Sequence, residues 1–217
     1  MLVPLLLTLK VAATATLLAL VFGLAGARLL SRYRFPGRDL LDAVFTLPMV
    51  MPPTVLGYYL IVLVGRRGWL GRWLWERFGV TLMFTWEGAA IAAAVVAFPL
   101  VFKGARAALE SVDRQLDGAA RTLGVSEAGI FFRVTLPLAW RGVLAGTMLA
   151  FARATGEFGA TLMVAGNIPG RTQTLSLAVY DAVQRGEDHL ALLLVAITSI
   201  VCIAILVGAG KLLRPRT

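Results

Sequence analysis

Five stretches of this chain are long and apolar enough to cross a lipid bilayer, and that limits its fold more than any other feature. They run from Val11 to Leu30, from about 40 to 64, from about 86 to 109, from about 142 to 165, and from Leu190 to Gly210. Crossing a hydrocarbon core about 30 Å thick takes about 20 apolar residues at 1.5 Å each. Backbone N–H and C=O groups find no water there, so a spanning segment of this kind must be helical. The expected fold is an all-α membrane protein with five transmembrane helices in a single domain, residues 1–217. Composition agrees: 59% of the residues are apolar and 15% charged, against about 25% charged in soluble domains. Ala25-Gly-Ala27 has the small-residue form of a signal-peptidase site. The weakly basic start and four later spans favour a retained helix.

The formal net charge is +9. In a membrane protein such an excess reports cytoplasmic connections before it reports nucleic acid, and no nucleic-acid partner is expected. With 103–141 placed inside, segments 28–38, 103–141 and 211–217 hold thirteen of the 21 basic residues. They are Arg28, Arg32, Arg34, Arg38, Lys103, Arg106, Arg114, Arg121, Arg133, Arg141, Lys211, Arg214 and Arg216. This puts the N-terminus outside and the C-terminus in the cytoplasm. Arg66, Arg67, Arg72 and Arg77 run against the bias, because they fall outside.

Three segments interrupt the apolar pattern. Pro48, Pro52 and Pro53 sit in the second span, where proline removes a donor and clashes with the preceding turn. Broken backbone at that depth must be covered by protein or line a water-filled path, so a packing kink and a pathway wall both remain open. Residues 65–84 mix arginine with Trp69, Trp73 and Trp75, which suits an interfacial helix. The same mixture resembles a single-strand nucleic-acid surface, but it lies between two spans. Residues 166–189 form a second outer loop. Asn167-Ile-Pro-Gly170 reads as a turn. Leu175, Ala178 or Val179, and Ala182 or Val183 then recur at helical spacing, the pattern of an interfacial or re-entrant helix.

The polar insert between the third and fourth spans reads as two short helices over 111–137. Asp113 caps the first, Gly124 ends it in a left-handed conformation, Ser126 caps the second and Pro137 opens the next span. Leu116, Ala119, Ala120 and Leu123 form the apolar side of the first helix, and small residues at 118–120 admit another backbone. Such a bracket can transmit a push from a soluble partner. An amphipathic hairpin on the membrane is the plainer reading, and a DNA-binding helix-turn-helix is a poor one because both ends enter the bilayer.

Ala119-Ala-Arg-Thr-Leu-Gly124, nine residues, then Val134-Thr-Leu-Pro137 resembles the coupling loop of ATP-binding-cassette (ABC) importer permeases, E-A-A-x3-G-x9-I-x-L-P. Gly118 stands where that pattern has glutamate, and the acid lies one residue earlier at Asp117. Further runs resemble the molybdate permeases of bacterial ABC importers. They are Pro52-Pro-Thr-Val-Leu-Gly57-Tyr-Tyr, Gly65-Arg-Arg-Gly68, Phe84-Thr-Trp-Glu-Gly88, Phe151-Ala-Arg-Ala-Thr-Gly-Glu-Phe-Gly-Ala-Thr161 and Ala165-Gly-Asn-Ile-Pro-Gly-Arg-Thr-Gln-Thr174. The likeness covers about residues 34 to 183. Sulfate permeases carry a related E-F-G-A run and are the runner-up.

The resemblance implies a type I importer permease fold in the bacterial inner membrane, with a second copy of the chain as partner. It implies a cytoplasmic ATPase dimer docked on Asp117, Gly118, Ala119, Ala120, Gly124, Val134, Leu136 and Pro137. It also implies a periplasmic or lipid-anchored binding protein that selects molybdate or tungstate. The chain carries no G-x-x-x-x-G-K-[ST], so it is expected to hydrolyse nothing itself and to need no cofactor.

Arg153 and Glu157 lie one helical turn apart inside the fourth span. Charges there cost about 2.5–3.5 kcal/mol each on insertion scales. A structural ion pair is the plainer reading. With Gly156, Gly159, Pro52 and Pro53, the pair is also a candidate lining or gate of an anion path. A fixed carboxylate repels an anion, which suits a conduit better than a tight site. Asn167, Pro169, Gly170, Thr172 and Thr174 are candidate contacts for the binding protein, or an outer turn. His189 is the only histidine and Cys202 the only cysteine, so neither a metal site nor an internal disulfide is expected. An intramembrane enzyme lacks its residues here. A secondary transporter or channel would lack a use for the docking loop.

Overall fold

The computed structural model describes residues 2–213. Arg214 and Arg216, counted above toward the inner side, lie outside the described residues. The chain is helical throughout its ordered elements. The centre is α1 (Leu2–Arg32) laid along α5 (Trp86–Glu110). Ala12, Ala15 and Ala19 of α1 share one buried cluster with Ala89, Ala90, Ala93 and Ala97 of α5. Small side chains let the two backbones approach, which matters in lipid, where van der Waals packing rather than apolar burial drives helix association. A Cβ on Gly23 would stand 3.1 Å from the Val101 side chain.

The fourth span packs against both α5 and α1. It begins earlier than its apolar pattern predicts. Helix α7 (Glu127–Ile130), a π-wound turn (Phe131–Thr135) and α8 (Leu136–Thr155) form one continuous rod. The Leu136 N–H reaches back five residues to the Phe131 carbonyl. Pro137 supplies the physical reason, since its ring excludes the carbonyl of Arg133 and it has no N–H to offer. Pro137 therefore does not open a new helix. It sits inside one. Gly142 and Gly146 pack against α5, where a Cβ on Gly142 would fall 2.5 Å from that of Ala108. The G-x-x-x-G pattern is thus used within the chain.

The second apolar stretch is two helices rather than one kinked one. Helix α2 (Arg38–Val50) and α3 (Pro53–Val64) are bent by 116° across Met51-Pro52. Two consecutive prolines remove two donors, and Pro53 starts α3 where a missing N–H costs nothing. Among the described residues four rods (α1, α5, α7–α8 and the last helix) are long and apolar enough to cross a bilayer, and the bent pair makes a fifth if it is one span. After α3 comes the short helix α4 (Trp69–Phe78), at the place expected for an interfacial helix. A break at 156–158 separates α8 from α9 (Gly159–Ala165). Helix α10 (Leu175–Gln184) then docks on α11 (Asp188–Leu213). Leu175, Ala178 and Ala182 form its buried face, while Val183 points outward.

Candidate functional site

The polar bracket is built from local rules. The Asp113 carboxylate accepts the N–H of Gln115 at 2.9 Å and starts α6 (Arg114–Thr122). Gly124 has φ +76° and ends it. Ser126 Oγ accepts the N–H of Gly129 at 3.2 Å and starts α7. The Thr135 hydroxyl donates to Asp117 Oδ1 at 3.1 Å, tying α6 to the π-turn. At Gly118 a Cβ would meet nothing within 4 Å, so the position is open surface. No residue of α6 is buried, and Leu116 and Leu123 are 45% and 82% exposed. The apolar side expected from the sequence is therefore present and uncovered.

An acid outside the docking pattern fastens this bracket to the span. Glu127 pairs with Arg32 of α1 at 3.0 Å and with Arg121 of α6. Arg28 donates to the Glu127 carbonyl at 3.1 Å and lies over the Phe131 ring at 3.8 Å. The hydrogen bond to Glu127 is the main reason the Arg121 guanidinium is held above its ordinary pKa. Exposed ion pairs are worth about 0–1 kcal/mol singly, so it is the convergence of three arginines on one residue that stiffens the joint.

Two breaks that the sequence marked separately meet in space. A Cβ on Gly159 would lie 3.1 Å from Pro53 Cβ and 3.3 Å from Thr54 Cγ2, so the start of α9 rests on the start of α3. Glu157 stands at this junction, only 3% exposed. Its Oε1 accepts the N–H of Ala160 at 2.9 Å, capping α9, and its Oε2 is 2.8 Å from Arg153 Nη1 but off the N–H axis. Arg153 remains partly exposed, and Gly156 faces open space.

The outer turn divides its candidate residues. Pro169 and Gly170 are exposed, and Gly170 has φ +75°. Thr172 is fully buried: its hydroxyl accepts the N–H of Ile168 at 3.0 Å and donates to the Gly166 carbonyl at 3.3 Å. Thr174 is buried as well, and Asn167 has a buried, unpartnered Oδ1. Thr172 is thus a fastener of the turn, and of the candidate residues here Pro169 and Gly170 are the exposed ones. Among the described residues no cluster of acidic, histidine or cysteine side chains could hold a metal.

Residues 15–217 match the family described as the binding-protein-dependent transport system inner membrane component. The chain belongs to that family. It is 48% identical over 205 residues to the molybdenum transport system permease protein ModB of Escherichia coli K12, spanning 94% of this chain and 90% of that one. It is 40% identical to the sulfate transport system permease protein CysT of the same organism, over 82% of this chain and 64% of that one. Its fold is that of the inward-facing MetNI methionine ABC transporter, with a TM-score of 0.72 at 18% identity over 97% of this chain and 93% of that one. It is thus a multi-pass membrane subunit of the ABC permease type.

A charge network in this permease subunit had no local signal. Asp42 of α2 accepts both carboxylate hydrogen bonds from Lys103 Nζ at 3.0 Å and pairs with Arg106. Arg106 and Arg38 both reach Glu110, at 2.9 and 3.2 Å. Apart from Arg106 and Glu110, which are one helical turn apart, the partners lie more than sixty residues apart in the chain. Alternating acids and bases on two remote helices cannot be paired from spacing alone.

Proposed function

We propose that this chain is the permease of an ATP-driven importer that carries molybdate, or its close analogue tungstate, into the cytoplasm. It works as a pair of copies. A cytoplasmic ATPase dimer docks on the 110–137 bracket, and a periplasmic or lipid-anchored protein delivers the anion. The observation that carries the docking is an exposed apolar face on a rigidly anchored α6. The 48% identity to ModB across nearly the whole chain supports the anion class. ATP is spent by the partner, and Asp117, Gly118, Ala119, Ala120, Gly124, Val134, Leu136 and Pro137 transmit the motion. The junction of Pro52, Pro53, Arg153, Gly156, Glu157 and Gly159 is the moving part of the path, because two helix breaks there can hinge against each other.

Sulfate is the second reading, favoured by the 40% identity to CysT. The test is uptake by proteoliposomes holding the permease with the ATPase and binding protein encoded beside it. Radiolabelled molybdate should accumulate with ATP, and excess unlabelled sulfate should not compete. Leu123→Asp should leave the permease in the membrane yet lose the co-purified ATPase and uptake. Uptake without ATP, or sulfate competing equally, overturns the reading.

A further inference from the structure

We propose that α4 and the groove beside it form a site for an anionic phospholipid of the adjacent leaflet. Helix α4 and its flanks, 65–84, carry Arg66, Arg67, Arg72 and Arg77 against a single acid, Glu76. Arg72 and Glu76 make only a long, exposed pair at 3.6 Å. Arg66 lies over the Trp75 ring at 4.6 Å. Trp69 projects outward, and Trp73 and Phe78, set edge-on to each other at 5.5 Å, stay more than half exposed. A bilayer covers such residues at its headgroup level, where an indole has one apolar and one wet side.

The second observation is an apolar groove that begins under this helix. Leu70 roofs it. Leu18 and Phe22 of α1, Phe45 and Pro48 of α2, and Val95 and Phe98 of α5 wall it. Its volume is about 620 Å³. All its lining side chains are hydrocarbon or aromatic, so it is suited to an acyl chain and offers nothing to an anion or a peptide backbone. It lies where α1, α2 and α5 meet Leu70 of α4. Arginines at headgroup level and a hydrocarbon slot below them are the two halves of a phospholipid.

Charge selects which phospholipid. Basic residues near a bilayer surface are attracted to anionic headgroups, each by roughly a fivefold preference. Four of them on α4 and its flank, on the side where the charge bias of the chain predicts few, favour phosphatidylglycerol-type headgroups over zwitterionic ones. The proposal rests on α4 lying at a membrane surface and does not depend on which oxyanion is carried.

The experiment uses the purified permease–ATPase complex, delipidated in detergent and titrated with phosphatidylglycerol or phosphatidylcholine. Bound lipid is counted by native mass spectrometry, and ATPase activity with the binding protein is scored separately. The wild type should retain phosphatidylglycerol in preference to phosphatidylcholine. Arg66, Arg67, Arg72 and Arg77→Gln together should cut that preference by at least about fivefold. Val44→Trp, which fills the groove from an exposed wall, should lower retention of both lipids. Equal retention of the two lipids by the wild type overturns the site. So does an arginine variant that keeps its preference but loses stimulation by the binding protein, since α4 would then serve that protein. Val44→Trp that splits the permease pair also overturns it, because the groove would then hold a second copy. Failed transport with intact lipid preference touches only the importer reading.

Discussion

At Glu157 a single carboxylate does two jobs that its spacing to Arg153 does not reveal. One oxygen satisfies the Ala160 N–H, and the other faces the arginine. A buried donor left without a partner costs about 1–3 kcal/mol. Glu157→Ala should therefore melt the detergent-solubilised complex at a clearly lower temperature, while Glu157→Gln, which keeps an acceptor for Ala160, should melt close to wild type. That comparison isolates structure. Function is isolated by Arg153→Gln with Glu157→Gln, which removes both charges and keeps the acceptor for the Ala160 N–H. If the pair borders the anion path, uptake should change severalfold at unchanged melting temperature. Wild-type uptake by the double variant leaves the pair a helix cap and nothing more. The sequence showed two expensive charges one turn apart. It could not show that one of them caps the start of a helix, because the break at Gly156 interrupts an otherwise uniform apolar run.

At the scale of elements, the bracket was legible and its anchorage was not. Asp113, Gly124 and Ser126 each act on backbone groups within three or four residues, so their types and order carry the geometry. Glu127 acts on Arg28 and Arg32, which lie on another helix and leave no periodic trace. The same holds for α2. It buries no residue, and its hold on α5 comes from Phe45, set edge-on to Phe98 and Phe102 at 5.4 and 5.2 Å, from Asp42, and from Arg38 paired with Glu110. Asp42→Asn keeps the shape but removes the charge facing Lys103 and Arg106. Arg106 keeps Glu110, but Lys103 then faces it with no anion between them and the two cations repel, so the first turns of α2 should open. Amide exchange should speed up across 38–50 and stay unchanged in the α1–α5 core. Unchanged exchange across 38–50 would mean that the aromatic contact and the Arg38–Glu110 pair hold α2 without Asp42.

For the whole molecule, the fold reduces the question of sidedness to one binary choice. The Arg32–Glu127 pair puts the end of α1 on the same side as the bracket. Arg38 and Glu110 add the start of α2 and the end of α5. At the opposite end, the Leu175 N–H donates to the buried Thr8 hydroxyl at 2.8 Å, so the second outer loop shares its side with the start of α1. One labelled position on each side therefore orients all of them. The bracket side carries Arg28, Arg32, Arg34, Arg38, Lys103, Arg106, Arg114, Arg121, Arg133 and Arg141, and basic residues near span ends stay in the cytoplasm. Arg66, Arg67, Arg72 and Arg77 pull the other way, two of them inside the short helix α4 and two just before it, so charge alone leaves the sidedness to be measured. With Cys202 replaced by serine, single cysteines at Gln115 and at Gln184 decide the matter. A membrane-impermeant maleimide should label the Gln184 position in intact cells and the Gln115 position only after the membrane is opened. The reverse pattern would put the bracket beyond reach of any cytoplasmic ATPase, and with it the coupling through α6 would fail.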